Sequence, residues 1–250
     1  MKASVCIRRT RLGVILLAAV ILLVSTTVGV SAYSGPVESA NARYVVASYQ
    51  QFLQRDPADS GLDFHLDRLV SGGDLSREQM ARSLLFGPEG STIDVERAYQ
   101  SILGRGADAR GSAYWAGHLQ RNDVLDLRVL LLSSDEYRRR NGGTDAGWIA
   151  ALYRDILGRS PEAAGLNYWS RQAARGVPRP LIVAGFYLGR ESLGRRTTAY
   201  YQLALQRNPT AAERSAGASL IAREGERALY ARLWASDEAF ETYFDERWES

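Results

Sequence analysis

His65 and His118 are the only histidines in this 250-residue chain, and Cys6 is its only cysteine. A serine triad needs a histidine base beside a nucleophile on a sharp turn, and the sequence holds no Gly-x-Ser-x-Gly. His118 has no second ligand at a spacing that zinc sites use, and it reads as a residue on the polar side of a helix. Cys6 precedes a long apolar run, so the chain beyond that run has no thiol for a nucleophile, a thiolate metal site or a disulfide. Asp56, Asp59 and Asp63 surround Ser60-Gly61 in a way that suits an oxygen-rich calcium loop. Their spacing is not that of a hand-type loop, and Pro57 interrupts it. Calcium is a weak expectation, and no other cofactor is expected. The other copies keep only scattered acids there, Asp108, Glu162 and Glu213, which read as helix caps and solvated charge.

The remaining chemistry-bearing residues recur. Tyr49-Gln-Gln-Phe-Leu-Gln-Arg, Tyr99-Gln-Ser-Ile-Leu-Gly-Arg, Tyr153-Arg-Asp-Ile-Leu-Gly-Arg and Tyr201-Gln-Leu-Ala-Leu-Gln-Arg share the pattern Tyr-x-x-x-Leu-x-Arg, their tyrosines 50, 54 and 48 residues apart. Twelve residues after the tyrosine stand Gly61, Gly111 and Gly165; three further on come Phe64-His65, Tyr114-Trp115 and Tyr168-Trp169. Each unit closes on an acid: Glu89, Glu136, Glu191 and Glu238. The rings Tyr114, Trp115, Tyr168 and Trp169 are candidates for a platform that stacks on sugar rings or a partner, although aromatics locked in phase more often fill the gap between stacked helices. His65, standing where the other units have tryptophan, reads as part of that packed face. Glu191-Ser192 resembles the glutamate-serine pair of lytic transglycosylases. Because Glu191 falls in register with Glu89, Glu136 and Glu238, it reads instead as a recurring structural position, and no catalytic residue is assigned.

Helices must position these residues. Ile149, Leu152, Tyr153, Ile156 and Leu157 fall on one helical face, as do Val95, Ala98, Tyr99, Ile102 and Leu103. A second short helix carries the aromatic pair, and a third apolar one holds Met80, Leu84 and Leu85 or Ile182, Val183, Phe186 and Tyr187. Ser76-Arg-Glu-Gln79 reads as a capping box, and Ser134 and Ser236 as further caps. Proline after the Tyr-x-x-x-Leu-x-Arg phrase reads as the stop between the first two helices. Arg138-Arg139-Arg140 reads as a helix C-terminus with dipole-favoured cations. No stretch alternates with period two. The expected fold is all-α: an array of about four degenerate repeats of roughly 50 residues, each burying its neighbour's face.

The start of the chain differs. Lys2, Arg8, Arg9 and Arg11 precede an apolar stretch from Leu12 through Val30, and Val30-Ser31-Ala32 has small residues where a signal peptidase reads. The expected organisation is a signal peptide over 1–32, cleaved after Ala32 or kept as an anchor through residues 12–30, then a linker over 33–43. Helical repeats follow over 44–93, 94–147 and 148–197, with a degenerate capping repeat over 198–250. Taking the leader's four basic residues from the 31 leaves 27 against 28 acidic ones, a net charge of −1 rather than +3. The basicity belongs to the leader, so nucleic acid is not an expected partner.

Tyr-x-x-x-Leu-Gly-Arg-x-Pro-x-x-x-Gly-x-x-Tyr-Trp, closed by a Ser-x-Glu-like turn, resembles the domain-of-unknown-function 4214 family, whose members are secreted and surface bacterial proteins, and is distantly similar to phycobilisome linker domains. The resemblance is best over 148–192, good over 95–137, partial over 45–89 and weak over 198–240. It implies a helical, export-associated module and carries no catalytic residues. The expected role is a secreted or envelope-attached, non-enzymatic binding or scaffolding module. Its expected partner is a protein or an envelope polysaccharide, and it meets membrane only through the N-terminal segment if that is uncleaved. The alternative is a glycan-binding accessory or glycan-cleaving enzyme of the envelope.

Overall fold

A computed structural model describes residues 39–69 and 75–244, and the expected leader with its cleavage point lies outside them. Among the described residues there are fourteen α-helices and no strand. The first unit is Ala40–Leu53 (α1), Asp59–Leu69 (α2) and Arg77–Phe86 (α3). The second is Pro88–Leu103 (α4), Ala109–Leu119 (α5) and Leu125–Ser133 (α6). In the third, Asp135–Arg140 (α7) and Asp145–Leu152 (α8), extended by a π-helical turn over Tyr153–Leu157, precede Ala163–Ala174 (α9) and Arg179–Tyr187 (α10). The fourth is Arg190–Leu205 (α11), Ala211–Glu224 (α12) and Glu226–Trp234 (α13), followed by Asp237–Tyr243 (α14).

Side-chain oxygens cap the helix starts. Ser76 forms the capping box with Gln79, and Ser134 and Ser236 accept the N–H groups of Tyr137 and Ala239 at 3.1 and 3.2 Å. Ser39 accepts the Ala42 N–H at 3.1 Å, so α1 begins at Ala40, inside the stretch 33–43 expected as a linker. The stop after each tyrosine-bearing helix is not made by proline. It is made one residue before the recurring arginine, where Gln54, Gly104, Gly158 and Gln206 turn left-handed at φ 58°, 64°, 68° and 52°. Proline, where present, stands three residues beyond that turn.

The arrangement of the units departs from an open stack. One apolar core joins the first unit to the fourth, through Tyr44, Phe52 and Leu85 with Tyr201, Tyr230 and Trp234; another joins the second to the third, through Ile102, Leu127 and Leu132 with Trp148, Ile182 and Phe186. The fourth unit is therefore not a terminal cap. Eight of the nine residues of α13 are buried, two of them the charged Glu226 and Arg227, and a helix covered on nearly every side belongs inside a domain rather than at its end. The two pairs are built alike. Third helices face one another in both, α3 with α13 and α6 with α10. An arginine at the start of the odd unit's third helix meets the first aspartate of the short helix that follows the even unit's third helix, Arg77 with Asp237 of α14 and Arg179 with Asp135 of α7. The helices α4 and α11, each of 16 residues, pass unbroken between the pairs. At the end of the chain the fold closes on itself: the Arg43 guanidinium donates to the Phe244 carbonyl at 2.6 and 3.2 Å, and Phe244 meets the Tyr44 ring edge-on at 5.4 Å.

Candidate functional site

The recurring tyrosine, arginine and glutamate form one link, built four times. Arg55, Arg105, Arg159 and Arg207 each grip a carboxylate through two parallel hydrogen bonds, to Glu89, Glu136, Glu191 and Glu238, at 2.5–2.8 Å from Nε and 2.7–2.9 Å from Nη2. Each guanidinium also lies 5.1–5.4 Å from the centre of its own unit's ring, Tyr49, Tyr99, Tyr153 or Tyr201. The left-handed turn before each arginine aims it back over the tyrosine and toward the next unit. Gly61 and Gly165 make room for the tyrosine hydroxyl: a methyl on Gly61 would stand 3.0 Å from Tyr49 Oη, and one on Gly165 closer still to that of Tyr153.

This geometry accounts for Glu191. Its carboxylate is held by Arg159, and that hydrogen bond keeps its pKa below the usual range. A general acid at neutral pH needs the opposite shift. Glu136 and Glu238 are lowered in the same way by Arg105 and Arg207. Glu213, which stands where the other units have glycine, gives Arg207 a second carboxylate at 2.7 Å and closes a capping box with Thr210; these hydrogen bonds lower it to about 2. Asp108 caps α5 through the Gly111 N–H at 2.9 Å, and Glu162 receives Arg159 at 2.5 Å. Asp56 accepts from Gln50 at 2.8 Å, while Asp59 and Asp63 are exposed on α2. Among the described residues no three His, Cys, Asp or Glu side chains gather as a metal site would require.

The aromatic pairs divide. Trp115 and Trp169 pack against the core of the second and third units, and His65, in the tryptophan position, is buried in the first. Burial lowers the His65 pKa, aided by Arg68. The first ring of each pair faces solvent: Phe64 is 52% exposed, Tyr114 65% and Tyr168 50%. Core packing, one of two alternatives for the pair as a whole, thus holds for the second ring of each pair, and the first is exposed. His118, without a partner in the sequence pattern, meets Asp126 Oδ2 through Nε2 at 2.9 Å across the α5–α6 turn. Of the three arginines 138–140, in the last turn of α7, Arg138 pairs with Asp145 at 3.1 Å and Arg140 lies against Gly104. Arg138 and Asp145 also line a shallow cleft of about 270 Å³ with Asp135 and Arg179, whose charges are likewise paired, at 2.7 Å.

Sequence reasoning missed a buried ion cluster between the two cores. Glu226, 2% exposed, accepts from Arg128 and, at 3.2 Å, from Arg196. Burial opposes its charge, yet these two arginines hold its carboxyl below the usual value. Arg227, 4% exposed, donates to the carbonyls of Leu85 at 3.0 Å, Asn122 at 2.7 Å and Leu119, and stacks over Phe86 at 4.1 Å. It thereby ties the fourth unit to the first and second. Asp94 is nearest to Arg227 and Arg97, at 3.7 and 3.9 Å, and its Oδ2 has no hydrogen bond. Burial pushes it up to about 6 against the pull of those cations. Nothing in the sequence pattern marks these residues, because each is unique to its unit.

A family model described as a domain of unknown function (DUF4214) matches residues 30–92 and 129–195. The stretch 93–128 and the residues after 195 lie outside the match, although the first supplies Tyr99 and Arg105 of one tyrosine–arginine–glutamate link and the second holds the whole of another. No curated protein matches the chain.

Proposed function

With more than half of its length inside those matches the chain belongs to the DUF4214 family, and from that premise we propose that it is an exported, non-enzymatic binding or scaffolding module. The observation that carries this reading is the division of the aromatic pairs: one ring anchors each short helix while its neighbour, Phe64, Tyr114 or Tyr168, stands in solvent at the same place in three units. Exposed rings repeated on rigid helices are contact groups for a partner protein or a polysaccharide of the cell envelope. Export rests on the basic and apolar leader ending at Ala32.

The glycan-cleaving alternative would need a carboxylate free to give or take a proton. Glu191, its leading candidate, is engaged by Arg159. A glycan-array and pull-down screen with residues 33–250 tests the proposal. Specific retention of a polysaccharide or an envelope protein, weakened when Phe64, Tyr114 and Tyr168 are together changed to serine, is the expected result. Hydrolysis of purified peptidoglycan or another polysaccharide, lost in Glu191→Gln, would overturn it.

A further inference from the structure

The three exposed rings are not equivalent, and their surroundings point to one of them. The face of Phe64 is covered by the Arg68 guanidinium, 4.9 Å from the ring centre. Tyr168 has the edge of Trp169 at 5.0 Å, and Gln172 follows where the second unit has histidine. Tyr114 is the most exposed of the three and stands beside an imidazole held by a carboxylate. His118 lies nearly parallel to it, at 15° and 6.4 Å between ring centres, and edge-on to Trp115 at 5.2 Å. The Asn122 amide reaches His118 Nδ1 at 3.5 Å and fastens to the His118 carbonyl at 3.0 Å. With Nδ1 as acceptor, Nε2–H donates to Asp126 Oδ2 at 2.9 Å. Asp126 is 56% exposed, and its other oxygen takes no hydrogen bond from a described residue. An exposed phenol ring, an oriented imidazole and a half-engaged carboxylate therefore occupy one short stretch of surface, on α5 and the first turn of α6.

We propose that this surface is a subsite for one neutral pyranose ring of a glycan, with Tyr114 stacking on the sugar's C–H face and Asp126, held by His118, accepting from its hydroxyl groups. The inference deepens the binding role proposed above and rests on it. A pyranose presents an apolar face of axial C–H bonds ringed by hydroxyl donors, so it requires an aromatic plane beside an acceptor. The carboxylate sets the charge class: an acidic sugar would meet like charge at Asp126, whereas a neutral one finds an acceptor. The site is open and offers a single stacking ring, so affinity for a short oligosaccharide should be on the order of millimolar.

Titration of residues 33–250, which contain both cores whole, with cellotetraose and with chitotetraose is the test, read by amide and indole NMR shifts. The expected result is saturable shifts at Tyr114, Trp115 and His118 with at least one probe. Binding should weaken about tenfold or more in Tyr114→Ala, severalfold in Asp126→Asn and less than twofold in Tyr168→Ala. Because Tyr114 and Asp126 are exposed, the variants should melt with the parent, which separates lost contact from lost fold. Saturable binding that survives Tyr114→Ala, or maps to Phe64 or Tyr168, would overturn the subsite and leave the glycan reading standing. Absence of saturable shifts with either probe would overturn the subsite; if an envelope protein alone is then retained in the pull-down, the glycan half of the binding reading falls with it.

Discussion

Two sets of charged residues hold this molecule together, and they follow opposite rules. The tyrosine–arginine–glutamate links lie at the surface, recur four times and use the same two parallel hydrogen bonds each time. The cluster of Asp94, Arg128, Arg196, Glu226 and Arg227, the last two buried and the others partly so, lies between the cores and among the described residues occurs once, repeating no motif. Exposed pairs gain little net energy because water competes for both partners. Buried ones gain little over apolar residues of the same size, but losing one partner strands the other without solvent. Recurrence therefore marks a device for shaping the repeat, and uniqueness marks the join that makes two pairs of units one body.

The largest expected effect follows from breaking the buried join. Glu226→Ala should destabilise the fold by about 3–5 kcal/mol, because Arg128 and Arg196 lose the carboxylate that neutralises them; chemical denaturation measures this directly. A change as large is expected for Trp148→Ala, also about 3–5 kcal/mol, since that ring is fully buried and its N–H donates to the Leu132 carbonyl at 2.8 Å.

Acid separates Asp94 from the link glutamates by sign. Asp94 has its pKa raised to about 6, so the folded state takes up a proton more readily than the unfolded chain. Its contribution is most favourable below the unfolded value near 4 and falls as pH rises through 6, by up to roughly 2–3 kcal/mol. Asp94→Asn should raise stability at pH 7 and flatten its slope between pH 4 and 6; a variant less stable than its parent at pH 7 would refute this. The link glutamates Glu136, Glu191 and Glu238 have depressed values. Their stabilisation is present above the unfolded value and disappears as pH falls through the folded one.

Smaller effects belong to the links. Arg159→Ala should cost about 1 kcal/mol or less, because its pair with Glu191 is one-third to one-half exposed. Gln54→Gly should stabilise by ~0.5 kcal/mol, since Gln54 is exposed and sits at φ 58°, a conformation that glycine adopts more easily. Thermal melts of both variants check the direction.

The same contrast explains what could be read from the sequence. Helical faces, the caps at Ser76, Ser134 and Ser236, and the positions of the link residues were all legible, because each copy corroborates the others. That Arg159 reaches Glu191 was visible only as a shared phase, since the two lie 32 residues apart and meet through the fold. The pairing of first with fourth unit was hidden. Five residues before the recurring tyrosine stand Tyr44, Asp94, Trp148 and Arg196, a position without pattern until the structure places the two aromatics inside the cores and the two charges at the join. The split of each aromatic pair was equally out of reach, since adjacent residues of a short helix differ only in which side the neighbouring helix covers.

Hydrogen exchange on a chain ended after residue 197 tests the closed pairing most directly. Without α12, α13 and α14, and without the second half of α11, the first unit loses the other half of its shared core, whereas the second and third keep theirs. The account predicts that amides of α1 and α3 exchange nearly freely while those of α6, α8 and α10 stay protected. Protection of α1 and α3 equal to that in residues 33–250 would contradict it and restore an open array with a dispensable fourth unit.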